Sequence, residues 1–428
     1  LNDIPILKQN VRVSLFDTSS QEETYILVLD KKRWQISSLL FNIVNLIDGK
    51  RSIREIAQEL SKIYDREITE DYVESIFDKF FVKRGLLEGC EDTEAKKSGK
   101  SSYLWFRVTL IKSSMVEKFR FLSTLFAKKI FIPTLILGII LHLAAFAVYS
   151  NSISFSSFFR IAKLNNYSFF ITLVVVQFWG VLLHEFGHMS ASMRYGLAPG
   201  HIGGGFYFTS PVLYADVSNV WELKRHERVV VNLGGVYFQF IVFGIACLFS
   251  LLLNNNYIFI SVLIGEIGML NNFNPFLKWD GYWVVSDLLG IPNLHQTFKA
   301  YLYSRFFKLF GINIKSPIEN IREVEKNFFI IYVIFCTVFT VVLTYGLFTA
   351  FYNTSSHLIS SFVTLITDTK PINPATIKDF LINNASAVFI FILLLRIVYI
   401  SIKGFIKGSI GFLRKLKQTK SKGNMVNV

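Results

Sequence analysis

Five consecutive residues, His184-Glu185-Phe186-Gly187-His188, carry the clearest chemistry in the sequence. On a helix, histidines at i and i+4 share one face and can both reach a single Zn²⁺ ion. The glutamate between them lies close enough to take a proton from a water that attacks a peptide carbonyl. Two histidines leave a tetrahedral catalytic site one protein ligand short. The candidate third ligand is Asp280, in the run Asn272-Phe273-Asn274-Pro275-Phe276-Leu277-Lys278-Trp279-Asp280-Gly281. Pro275 would break a helix so that the following turn can line a site. Asn274 could donate a hydrogen bond to a developing oxyanion. Either half alone is weak, since the pentapeptide can arise by chance and Asn-Pro or Asp-Gly marks ordinary turns. The other histidines lack a partner at ligand spacing; His142 stands alone in an apolar run, and His201, beside three glycines, is the best spare.

The pentapeptide needs a helix, and the preceding residues supply one. From Ser168 to Leu183 the chain is apolar apart from Thr172 and Gln177. Ionisable residues at the end of such a span are expensive unless they have partners or work to do. Apolar residues make up 52% of the chain, with 43 phenylalanines, and the long apolar runs begin only near residue 128. Six spans fit the hydropathy, at roughly 130–149, 168–190, 229–253, 257–275, 328–352 and 384–402. The formal charge of +14 sits beside span ends, as in Lys128-Lys129, Lys224-Arg225 with Arg228, and the tail from Arg414 to Lys422. That placement reads as a positive-inside bias rather than a nucleic-acid surface. An even number of spans puts both termini on one side, with the basic loops in the cytosol. Cys90, Cys247 and Cys336 are dispersed and suggest neither a disulfide framework nor a thiolate metal site. No signal peptide opens the sequence, so the amino-terminal part is expected to stay cytosolic.

The expected fold class is a polytopic α-helical membrane protein with an amino-terminal winged-helix-like α+β domain. Val11–Leu15, Tyr25–Leu29 and Lys32–Ile36 read as short strands. A helix follows from Ser37 to about Ile47, and Ser52-Ile53-Arg54-Glu55 is a capping box opening a second. Thr69 caps a third, and Gly85 ends it. Residues 1–90 are thus the expected head, 91–127 a linker and juxtamembrane segment, 128–405 the membrane body, and 406–428 a basic tail. In the body, Gly203-Gly204-Gly205-Phe206 suggests a turn into a short strand near the metal. Such a strand could hold a peptide extended across the zinc, with Gly204 and Phe206 as contacts; a Gly-rich surface loop fits the same residues.

The paired metal motifs resemble the site-2 protease family of intramembrane metalloproteases. That resemblance implies one zinc ion per chain, with His184, His188 and Asp280 as ligands, Glu185 as general base and Asn274 as a substrate or transition-state contact. The run from Asn274 to Trp283, followed by Ser286-Asp287-Leu288-Leu289-Gly290-Ile291-Pro292-Asn293-Leu294, looks like a bacterial branch of peptide zinc metalloproteases, and so do Pro211, Tyr214, Asp216 and Trp221. Asp48-Gly49, the helix from Ile53 to Leu60 and Gly85-Leu86-Leu87 make the head similar to PqqD-like leader-binding domains, or RiPP recognition elements. Such domains bind a leader peptide as an added strand beside a helix. By position, Tyr25, Leu27 and Leu29 with Tyr72 would form that groove. A DNA-binding winged helix is the alternative, but Glu70, Asp71, Glu74 and Asp78 make the third helix too acidic for phosphate.

Together these readings imply an endopeptidase in a bacterial plasma membrane that cleaves a leader-bearing peptide precursor near the cytosolic face. Its partners would be that peptide and membrane lipid, with no nucleic acid. Alternatives are a regulated protease acting on a membrane-tethered protein, or a peptide transporter or immunity protein with structural zinc.

Overall fold

The computed structural model describes residues 4–30, 32–92, 104–150, 167–207, 210–309, 311, 313–367 and a subset of positions from 378 to 403. The chain divides into two compact units, Leu1–Phe329 and Ile330–Val428.

The amino-terminal residues form the expected three strands and three helices. Strands β1 (Val11–Phe16), β2 (Thr24–Leu29) and β3 (Lys32–Ser37) make an antiparallel sheet in the order β1-β2-β3. Helices α1 (Ser38–Leu46), α2 (Ile53–Tyr64) and α3 (Glu70–Ile76) pack beside it, and a π-helical turn, Phe77–Val82, extends α3. The capping box at α2 is formed: Ser52 Oγ accepts from the Glu55 N–H, and the Ser52 N–H donates to Glu55 Oε2 at 2.7 Å. One apolar core joins sheet and helices through Leu27, Ile36, Ile43, Ile56, Leu60, Phe77 and Phe81.

Next comes a structured segment where a linker and juxtamembrane stretch was expected. Strand β4 (Leu104–Ile111) pairs with β5 (Ile202–Tyr207), which pairs with β6 (Ser210–Ala215), giving a second antiparallel sheet in the order β4-β5-β6. A short helix α4 (Ser113–Glu117) and a 3₁₀ turn, Arg120–Phe126, lead into the first long apolar helix.

Among the described residues, five helices are long and apolar enough to cross a membrane: α5 (Lys128–Tyr149), α6 (Tyr167–Arg194), α7 (Arg225–Leu252), α11 (Glu323–Thr367) and α12 (Ile382–Tyr399). Large apolar side chains such as Ile136, Ile140 and Leu143 on α5 are exposed, a surface suited to lipid and not to water. These helices suit a polytopic membrane protein. The segment expected to span at 257–275 forms the 17-residue helix α8 (Asn256–Asn272), packed against α6 and α7. It ends early because the residue before Pro275 is disfavoured in helix and Pro275 has no N–H to donate. Helices α9 (Asp280–Leu289) and α10 (Leu294–Lys308) follow.

The β1–β2 loop seats the head on the membrane part. The Arg228 guanidinium donates to the Asp17 carbonyl at 2.9 Å and stands 4.9 Å over the Phe16 ring. The Ser19 N–H donates to the Gly290 carbonyl at 3.0 Å, and the Gln21 N–H to the Asn320 carbonyl at 2.8 Å. Arg228 was grouped with the basic flanks of the spans, yet it is only 3% exposed and donates to Asp287 Oδ1 at 2.6 Å. Burial pushes the Asp287 carboxyl up, against the pull of Arg228 and Asn232. A buried pair of this kind loses about 3–5 kcal/mol when one partner is removed.

A candidate metal centre

Helix α6 delivers the pentapeptide. Ten consecutive residues, His184 to Met193, are buried, so this half of the helix is enclosed on every side. The enclosure comes from α7, whose Gly234 lies against Gly187. A Cβ on Gly187 would collide with the Gly234 carbonyl, so glycine at both positions lets the two backbones approach closely. Asp280 arrives from the other side as the first residue of α9.

The three expected ligands converge. His184 Nε2 lies 2.8 Å from Asp280 Oδ2, His188 Nε2 lies 3.4 Å from Asp280 Oδ1, and the two Nε2 atoms are 3.1 Å apart. Among the described residues, His184, His188 and Asp280 form a group able to hold a metal ion. Burial alone would raise the Asp280 carboxyl, but the neighbouring imidazoles of His188 and His184 hold it below the usual carboxylate range.

The outer nitrogens show why a cation fits. His188 Nδ1 is 2.8 Å from the Val231 carbonyl, which can only accept, so Nδ1 carries the proton. His184 Nδ1 lies 3.0 Å from Gln239 Oε1 in the same relation. In neutral rings both inner nitrogens then present lone pairs toward the carboxylate, a convergence that a metal cation, like a proton on the ring, relieves. Two nitrogens bound tetrahedrally to zinc at about 2.0–2.1 Å would sit roughly 3.3 Å apart, close to the spacing here. The nitrogen and oxygen donor set suits zinc, and the Nδ1 partners orient the rings as outer partners of zinc-binding histidines do. Gly235 lies directly beneath, where a Cβ would stand 2.5 Å from both Nε2 atoms.

Glu185 is 8% exposed and lies against the backbone of Ala215 at the end of β6. It lines a cavity of about 720 Å³ together with His184, His188 and Asp280. Among the described residues β6 is the outer strand of its sheet and its far edge has no strand partner, and Pro211 to Ala215 form a wall of that cavity.

Several expected residues sit elsewhere. Asn274 is not on the cavity wall; its Oδ1 accepts from the Phe276 N–H at 2.9 Å, an Asx turn that starts the loop. Gly204 and Phe206 lie on β5, the middle strand, and the wall belongs to β6 and Tyr207 instead. In the head, β2 is also a middle strand, paired with β1 and β3, so neither of its edges can take a peptide. Leu27 and Leu29 are in the core for the same reason; Tyr25 stacks on Phe41 at 3.9 Å, and Tyr72 is exposed. His201 is outside the ligand group and faces Asp216, Nδ1 to Oδ2 3.5 Å. His142 is held by the Gly138 carbonyl at 2.7 Å and by Glu266 at 2.9 Å. Gln239, Gly235 and Asn232 were missed, because nothing in their local sequence marks them as neighbours of the histidines.

No family model and no solved structure matches the chain. A curated relative from Bacillus subtilis (strain 168), which carries the provisional name of peptide zinc metalloprotease protein YydH, is 24% identical over 143 residues. The match takes in 32% of this chain, and the chain spans about half the length of that relative (51%). The likeness supports a metalloprotease activity in general and agrees with zinc at the His-His-Asp group.

Proposed function

We propose that the chain is a zinc-dependent endopeptidase of the site-2 protease type, acting at the cytosolic face of a bacterial plasma membrane. The observation that carries this reading is the convergence of His184, His188 and Asp280 beside Glu185 in one cavity. Zinc held by those three residues would polarise a peptide carbonyl and acidify a water. The Glu185 carboxylate accepts the proton of the attacking water and returns it to the leaving amine nitrogen. Gln239 and the Val231 carbonyl keep both imidazoles aimed inward throughout. A structural zinc site has no need of a base, and that argues against a transporter or immunity protein.

The substrate must be extended at the cleaved bond, because a helix hides its carbonyls in internal hydrogen bonds. The free edge of β6 can pair with such a segment, which gives the carbonyl a fixed place near Glu185. We take the substrate to be a leader-bearing peptide precursor, with the head as a PqqD-like docking domain. The three-strand, three-helix head supports this, and the leader strand would add to an outer strand, β1 or β3. The expected topology, with both termini in the cytosol, belongs to the same proposal.

The test uses the purified full chain in detergent micelles and a short precursor encoded beside its gene, supplied with and without its leader. Cleavage with kcat/KM at least tenfold higher for the leader-bearing form is expected, about 1.4 kcal/mol of docking. Equal cleavage of both forms would contradict leader docking and favour a general regulatory protease.

A further inference from the structure

A second cavity of about 670 Å³ adjoins the metal cavity. The two share Tyr214, Ala215, Val217, Asn232 and Trp283 as walls. Their order along the chain matters. Pro211, Val212 and Leu213 touch only the metal cavity, while Asp216, Ser218 and Val220 touch only the second. A peptide paired along β6 across the ligand group would therefore run past Ala215 into this second chamber.

The chamber has a distinct chemistry. Phe16 from the head, Trp221 and Trp283 form a chain of rings along it, with centroids 5.3 Å and 6.3 Å apart. Its formal charges balance, since Arg107 and Arg228 are matched by Asp216 and Asp287. Arg228 is bound to Asp287, and Asp216 to Ser218 and His201. Such a space does not select a ligand by charge, and its size is that of an ordinary small-ligand pocket, about 300–1,000 Å³. Aromatic rings open to a cavity favour large apolar or aromatic side chains.

Resting on the peptidase reading above, we propose that this chamber is a specificity subsite. It receives an aromatic or large aliphatic side chain of the peptide, on one side of the cleaved bond. The head builds part of the wall through Phe16, so recognition by the subsite requires the head to be seated.

The experiment measures binding to the zinc-loaded full chain in micelles, so that turnover of an unidentified substrate is not needed. The probes are acetohydroxamate, which engages the metal alone, and two series of short peptide hydroxamates extending to either side of the metal. Each series carries Phe or Gly at its second or third residue. In one series the Phe peptide should bind at least tenfold tighter than the Gly peptide. That ratio should fall to within twofold in Trp221→Ala, and also in Thr109→Trp, which fills the chamber from β4 instead of emptying it. Ratios taken within each variant cancel any change common to both peptides. Normal acetohydroxamate binding with a Phe-to-Gly ratio within twofold in both series would overturn the subsite alone. So would a preference that survives both variants. Failure of acetohydroxamate to bind the wild-type chain would sink the metal reading, and the subsite with it.

Discussion

Glu185→Gln is expected to lower kcat for peptide cleavage by about 10²–10⁴-fold, the range a general base contributes, while the zinc content stays at the wild-type level. The amide keeps the shape of the carboxylate but cannot take a proton. Glu185 is absent from the ligand group, whose atoms come from His184, His188 and Asp280, so its replacement leaves the donors in place. Activity assays paired with metal analysis on the same preparations check both halves. Cleavage by the variant within tenfold of wild type would remove Glu185 from the mechanism. Loss of zinc along with activity would instead make it a structural support for the site.

Gly235→Ala is expected to weaken zinc binding at least 100-fold, about 2.7 kcal/mol, although no ligand is altered. The added Cβ would stand 2.5 Å from the Nε2 atoms of both histidines, far inside ordinary contact. Helix α7 cannot simply back away, because Gly234, one residue earlier, is packed on the backbone of Gly187. The imidazoles would have to turn instead, breaking their Nδ1 contacts with Gln239 and Val231. Chelator competition measures the affinity, and Gly268→Ala is the control. Gly268 lines the same cavity, but a Cβ there meets nothing within 4 Å. Equal affinity in wild type and Gly235→Ala would mean that the helix crossing is softer than its geometry implies.

The convergence of His184, His188 and Asp280 was legible in the sequence because it depends on local spacing and on a short list of residue types. His184 and His188 are one helical turn apart, and Asp280 follows a helix-breaking Pro275 that leaves few other conformations. The head's three strands and capped helices were legible for similar reasons: alternation, Ser52 with Glu55, and Thr69 are all local signals. The order of strands was not. Nothing in Tyr25–Leu29 says that β2 lies between β1 and β3, so the peptide-binding edge was assigned to a strand that has none. The sheet β4-β5-β6 was half visible. Its hairpin carries the three glycines inside β5 and not in a turn before it, and β4 lies far away in sequence, after polar residues that suggest a linker. Arg228 misled for a different reason, since a basic residue near a span end usually faces lipid headgroups and this one is spent on Asp287. Asn274 was assigned from its neighbours in the motif, and its side chain is used by the turn it begins.

The central claim is that His184, His188 and Asp280 together hold a catalytic zinc ion. Metal analysis of the purified full chain, beside Asp280→Ala and His188→Ala, tests it most directly. About one zinc per wild-type chain is expected, falling to near zero in both variants, because each removes one of three protein ligands. Zinc undiminished in both variants, or absent from a folded wild-type chain incubated with zinc, would contradict the account.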